Sequence, residues 1–313
     1  MVLKYLWVDY IGTLISKTIR GIKNMKYTNK HNFPDYVVQW LKFDEYDYEP
    51  NTFSATTLLQ PPKVYALKKQ YYDQIETDVS DVIASRYGTA IHDSIEKIKL
   101  TNCLQEQRLR TKIADKVITG KFDIMKEVEK GIYRLIDVKS TSVWTFVFGS
   151  KEEDYIKQLS IYRFLGHMNG YNVQEEAEIF MIFTDWSAKK SRTDPEYPQT
   201  RIKIVKIRLW GIEKTREFIT ERVNLLSKTS EMKQEDMPEC TEKDLWAMKP
   251  TYNLMRDNRT IATYKRKPTR ILSDSSLKLV EVKGKVKRCK YCPASKFCDQ
   301  CKRLIKEMRY DDE

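Results

Sequence analysis

The feature that most constrains this chain lies in its middle. Val117 to Val128 (VITGKFDIMKEV) alternates apolar and polar residues, Lys130-Gly131 supplies a turn, and Tyr133 to Lys139 (YRLIDVK) resumes the alternation. Side chains along a strand point to opposite faces with a period of two, so the two runs predict a β-hairpin. Helical spacing follows at Tyr155, Leu159, Tyr162 and Leu165. Glu178 to Thr184 (EIFMIFT) is almost wholly apolar, as expected of a strand buried on both faces. Arg201 to Leu209 alternates strictly, and Ile212 to Leu226 returns to helical spacing. Upstream, FSATTLLQPPKVYALKKQYYDQ reads as two short helices, with Ser54 or Thr56 as the first cap and Pro61-Pro62 as the interruption. YGTAIHDSIEKIKL sets Ile91, Ile95 and Ile98 on one helix face and puts His92 near the helix start. The order helix, strand, strand, helix, strand, strand, helix predicts an α/β fold with a mixed central sheet flanked by helices. The last third reads as irregular, basic and rich in cysteine.

Six cysteines stand at 103, 240, 289, 292, 298 and 301, and four of them fall within thirteen residues. An oxidised secreted chain spreads its cysteines to staple distant loops, whereas this spacing points to metal ligation in a reducing compartment. Cys103 reads as a buried apolar cysteine. The apolar stretch within residues 1–24 is interrupted by Asp9, lacks a clean small-residue cleavage site and, at roughly 14 residues, is shorter than the about 20 a membrane span requires. A second reading starts translation at Met25. Cytoplasmic location and no membrane partner are therefore expected. The expected organisation is an N-terminal extension over 1–51, a core over 52–235 and a basic Cys-rich metal-binding segment over 236–313.

The net charge is +12. From Arg256 to Lys306 there are 16 Lys/Arg against 4 Asp/Glu, a surplus equal to that of the whole chain, so the rest is neutral. Basic residues mixed with Tyr264 and Tyr291 there suit phosphate tracking and base stacking along a nucleic-acid strand. Charges that merely offset anionic thiolates and face solvent are the plainer alternative.

The chemistry concentrates on the hairpin. Alternation places Asp137 and Lys139 on one face of their strand, and an antiparallel partner can bring Asp123 beside them. Converging carboxylates repel unless a cation neutralises them, and hard oxygen ligands suit Mg²⁺ or Mn²⁺. Lys139 could orient or help deprotonate a water and stabilise developing negative charge. His92 is a candidate third ligand that would favour Mn²⁺. Singly, an Asp-x-Lys on a strand is usually a solvated face and a lone histidine a structural one; their order is what carries weight.

GTAIHDSIE, GKFD, DVKS and QLSIY, in that order, resemble the RecB-type branch of the PD-(D/E)XK nuclease superfamily, and FSATTLLQPPKVYALK resembles its N-terminal helix. The resemblance covers about residues 52 to 301 and implies a restriction-endonuclease-like core. It implies that His92, Asp123, Asp137 and the Val138 carbonyl hold the metal, that Lys139 positions water, and that Gln158 and Tyr162 form a supporting helix pair. Cys289, Cys292 and Cys298 resemble the cysteine triplet of iron-sulfur nucleases of this branch, such as CRISPR-associated exonucleases and the nuclease part of AddB. There the fourth ligand lies in the N-terminal helix motif, where this chain has Gln60 or Pro61. Cys240 is preferred as the substitute, with Cys301 as the alternative. A [4Fe-4S] cluster is implied, with Zn²⁺ fitting the spacing as well. The expected activity is a metal-dependent DNA nuclease, an exonuclease acting on single strands or DNA ends in recombination, repair or phage DNA processing. The partners expected with it are DNA and an unidentified helicase or recombination factor. The rival is a non-catalytic DNA-binding or assembly factor on the same scaffold; a zinc-knuckle adaptor is a third possibility.

Overall fold

The structure is a computed structural model that describes residues 26–43, 52–113, 115–268 and 276–310. The apolar stretch over 1–24 and the acid-rich run ending at Asn51 lie outside the described residues. The chain divides into two compact units, one of residues 1–60 and 76–225 and one of 61–75 and 226–313.

The first unit opens with β1 (Lys26–Thr28), α1 (Asp35–Lys42), β2 (Thr52–Ser54) and α2 (Ala55–Leu58). Ser54 caps α2, its hydroxyl accepting the Thr57 amide at 3.0 Å. After β3 (Glu76–Asp78), which pairs in parallel with β1, comes α4 (Ile83–Glu96); the intervening α3 (Pro62–Gln70) belongs to the other unit. His92 stands in the last turns of α4 and not near its start, because the helix begins earlier than the Ile91–Ile98 stripe marks. Ile98 lies beyond the helix and is exposed.

Six strands build the main sheet. β4 (Cys103–Gln105), β7 (Ile124–Glu129), β8 (Ile132–Thr141), β10 (Glu176–Phe183) and β11 (Ile202–Arg208) run in the order β11-β10-β8-β7-β4, and β9 (Asn172–Val173) adds to β8. β8 pairs with β10 in parallel and with β7 antiparallel, so the sheet is mixed, as expected. The parallel pair requires a crossover, which α5 (Val143–Val147) and α6 (Glu152–Met168) supply. α7 (Ala188–Thr193) lies between β10 and β11, and after β11 the chain continues into α8 (Ile212–Ser230).

One strand expected over 117–128 is two. β6 (Lys116–Lys121) belongs to a separate sheet of order β2-β6-β5, with β5 at Arg108–Ile113, whereas β7 joins the main sheet. The chain changes sheets at Phe122 and Asp123; Phe122 is buried, anchoring the joint, and the alternation continues across it unbroken. Cys103, expected to be buried, is partly exposed on β4, where its thiol donates to the Thr101 carbonyl at 3.4 Å.

The second unit contains α3 (Pro62–Gln70), the end of α8, an antiparallel sheet of order β13-β12-β14 and the C-terminal helix α9 (Asp299–Lys306). The sheet strands are β12 (Thr251–Arg256), β13 (Arg259–Tyr264) and β14 (Leu277–Val282), so the segment is less irregular than expected. No residue in the three strands is fully buried, and strands without a sealed face leave little alternation to read. The core of this unit gathers Ala66, Leu67, Met237, Leu245, Val286, Ala294 and Leu304 around Cys289, Cys298 and Cys301, with Cys240 and Cys292 packed against it. Among the described residues, no helix is long and apolar enough to cross a membrane.

Candidate functional site

The joint between the two sheets aims Asp123. Its Oδ2 accepts the Val138 amide of β8 at 2.7 Å, and its Oδ1 lies 3.5 Å from His92 Nδ1. On β8, period two sets Leu135, Asp137 and Lys139 on one face, beneath α6: the Lys139 ammonium stands 5.9 Å from the Tyr155 ring centre. Gln158 and Tyr162 lie one turn apart on α6, and Gln158 Nε2 donates to the Tyr162 hydroxyl at 2.9 Å. The helix approaches β6 closely at Gly120, where a Cβ would come within 2.8 Å of Tyr162 and Leu165 side-chain atoms.

Asp137 is 2 % exposed. Lys139 Nζ sits 2.6 Å from its Oδ2, an ion pair by distance, yet neither carboxylate oxygen has a hydrogen bond of proper geometry. Burial, and then the Asp137 charge, pushes the neighbouring Asp123 carboxyl up to about 7. Burial works to discharge Lys139, but Asp137 and then Asp123 outweigh it and hold the ammonium above its ordinary value. Tyr162 is likewise raised, by burial first and Asp137 second, so its hydroxyl stays protonated.

Glu106 is the residue that sequence reasoning missed. It follows β4 with a left-handed backbone (φ 51°), and its amide donates to the Asp123 carbonyl at 2.9 Å. Its carboxylate lies 3.7 Å from His92 Nδ1 and 2.6 Å from Lys121 Nζ. His92, Glu106 and Asp123 each offer a ligand atom within 4.8 Å of the others, and with Val138 they line a shallow cleft. The adjacent Glu106 carboxylate raises the His92 pKa against the opposing effect of burial. The only sequence signal for Glu106 was an acid shortly before the hairpin.

No family model matches this chain. No curated protein matches it either. Among solved structures it is similar to SSO0001, at 17% identity and a TM-score of 0.42, over 61% of this chain and 84% of that one. It is similar to a phage-related exonuclease from Haemophilus somnus 129PT, at 16% identity and 0.28, over 62% and 79%. A third similar structure is LHK-Exo in complex with dAMP, at 14% identity and 0.31, over 58% and 90%. At these identities and TM-scores, function has to be argued from the site itself.

A second cluster lies in the other unit. Cys289 and Cys301 are free thiols that lie close enough to act on each other, which lowers Cys301 to about 7 and raises Cys289. Burial, then Asp244, pushes Cys240 up to about 12, and Cys298 and Cys292 add to the effect, so Cys240 joins the group along with Cys301. Cys292 and Cys298 are raised chiefly by burial, while Arg288 and Lys68 near the first and Lys63 near the second favour their thiolates. Lys63 is buried and pairs with Asp299 at 2.6 Å.

Proposed function

We propose that this chain is a divalent-metal-dependent DNA nuclease. The observation that carries the reading is the buried Asp137 carboxylate, which has an ion pair with Lys139 at 2.6 Å but no hydrogen bond of proper geometry and stands beside the mostly buried Asp123 carboxyl, two acids that a bound cation would neutralise. Asp123, Asp137, His92 and Glu106, with the Val138 carbonyl, are the groups that would hold Mg²⁺ or Mn²⁺; the carboxylates suit either and the imidazole favours Mn²⁺. Such an ion would supply Lewis-acid polarisation of a phosphodiester and acidify a bound water. Lys139, kept charged by its two acids, would orient that water and offset charge growing on the phosphate, and would not serve as the base. Gln158 and Tyr162 would hold α6, and with it Tyr155, over the reacting face.

Five thiols meeting in one small core, with Lys63, Lys68, Arg288 and Lys302 nearby to balance thiolate charge, favour a metal group that braces the second unit. One Zn²⁺ at about 2.3 Å from each of four sulfurs would hold them about 3.8 Å apart. Four thiolates suit Zn²⁺ and a [4Fe-4S] cluster alike, and the cluster is favoured here by the resemblance to iron-sulfur nucleases of the RecB-type branch. The basic segment around β12–β14 would grip the DNA backbone.

The test is Mg²⁺- or Mn²⁺-dependent degradation of end-labelled DNA by wild type, Asp137→Ala and Lys139→Ala. Loss of at least 100-fold in both variants is expected, on the scale of about 10²–10³ for losing a group that stabilises transition-state charge. Equal activity in all three sinks the proposal, and DNA binding without cleavage in wild type selects the scaffold reading.

A further inference from the structure

The strand that carries Asp137 and Lys139 runs into an exposed aromatic face. β8 ends at Thr141, and α5 begins two residues later with its first turn tied back, Thr141 Oγ1 lying 3.0 Å from Thr145 Oγ1. Asp185 fixes the helix start, accepting the Ser142 hydroxyl and the Val143 amide at 2.7 Å each. The helix buries Val143 and sets Phe146 against Phe183, and its outer rings face solvent. Phe148 remains 72% exposed and Trp144 39% exposed, their rings stacked with centres 5.7 Å apart and planes at 20°.

Large apolar side chains left in water beside a buried charged site need a partner. The charge around them says which kind. Lys190 stands 4.5 Å over the Trp144 ring and Lys203 5.7 Å from the centre of Phe146, while α7 adds Lys189 and Arg192 and contains no acid. Of the acids nearby, Asp185 has both oxygens engaged and Glu153 pairs with Lys157, while Glu152 and Asp154 in the first turn of α6 lie on the far side of Gly149 in sequence. Rings interleaved with cations match alternating bases and phosphates, and stacking onto rings requires bases freed from a duplex.

We propose that the Trp144–Phe148 face is a base-stacking platform for single-stranded DNA that delivers the strand to Asp137 and Lys139. Naming DNA as the occupant rests on the nuclease reading of the neighbouring site; the stacking itself can be read without cleavage. The experiment uses the full chain in EDTA and measures fluorescence anisotropy of a short labelled oligo(dT) and of an abasic oligonucleotide of equal length. Wild type should bind oligo(dT) roughly tenfold more tightly than the abasic strand, the scale of one stacked base. Phe148→Ala and Trp144→Ala should each remove most of that preference while leaving abasic binding unchanged, and Trp144→Phe should keep it. Phe148 is exposed enough that its removal leaves the core intact, so this variant decides the matter if Trp144→Ala fails to fold. Equal binding of the two strands by wild type overturns the proposal. So does an unchanged preference in Phe148→Ala, or a shift in oligomeric state on that substitution, which would make the face a contact between copies. Failure of the nuclease reading shows up separately, as retained cleavage by Asp137→Ala.

Discussion

Replacing Asp123 by asparagine should make the metal-free protein more stable. In the folded chain this carboxyl is pushed up to about 7, by burial first and by Asp137 second, against about 3.9 when unfolded. A raised acid contributes nothing adverse while protonated in both states, below about pH 4. Between pH 4 and 7 the unfolded form ionises and the folded form resists, so stability falls; above pH 7 the full penalty stands. Three units at 1.36 kcal/mol each amount to about 4 kcal/mol at pH 8, shrinking to about 1–2 kcal/mol at pH 5. Asparagine keeps an acceptor for the Val138 amide, leaves the Lys139–Asp137 pair in place and carries no charge to penalise. At about 2–4 °C per kcal/mol for a unit of this size, Asp123→Asn in EDTA should melt on the order of 10 °C above wild type at pH 8, and only a few degrees above it at pH 5. Mg²⁺ or Mn²⁺ should stabilise wild type and narrow or reverse the gap. The assay is differential scanning calorimetry across pH, following the transition of the unit that holds Asp123. A variant less stable than wild type in EDTA at pH 8, or a gap that does not change with pH, refutes the reasoning.

Three further outcomes follow from the same geometry. Gly120→Ala would press a Cβ to 2.8 Å from Tyr162 and Leu165, so a loss of about 1–3 kcal/mol is expected in denaturant titration, with a fall in cleavage as Tyr162 shifts. Lys63→Met removes an ammonium that bonds Asp299 and the Gln234 carbonyl; because Asp299 is half exposed, about 1–2 kcal/mol is expected, together with faster loss of metal from the cysteines, read by absorbance during chelation. Mn²⁺ should bind more tightly at pH 8 than at pH 6 by calorimetric titration, because the metal must displace the protons held by Asp123 and His92, both raised in the folded chain. Equal affinities would remove both from the ligand set.

What could be read from the sequence followed from regular periods over short spans. Asp137 and Lys139 are two residues apart on one strand, Gln158 and Tyr162 four apart on one helix, and a single turn separates the two arms of the hairpin. Glu106 escaped because no period connects it to Asp123; the antiparallel pairing of Gln105 with Ile124 brings it there. The break between β6 and β7 escaped because apolar and polar residues keep alternating across it while the partner strands change. The place of α3 in the unit that holds the cysteines depends on Lys63 meeting Asp299 and Gln234, contacts between segments far apart in sequence that no local pattern announces.

The change of sheets at Phe122–Asp123 bears on when the protein can become active. Asp123 is aimed only when β6 has paired with β2 and β5 and β7 has paired with β8, and β8 is itself flanked by β10, which is synthesised later. A nascent or partly unfolded chain thus carries both acids without holding them together. The proposed cutting centre would be inert until both sheets close, and its activity would report on the docking of two sheets and not on either alone.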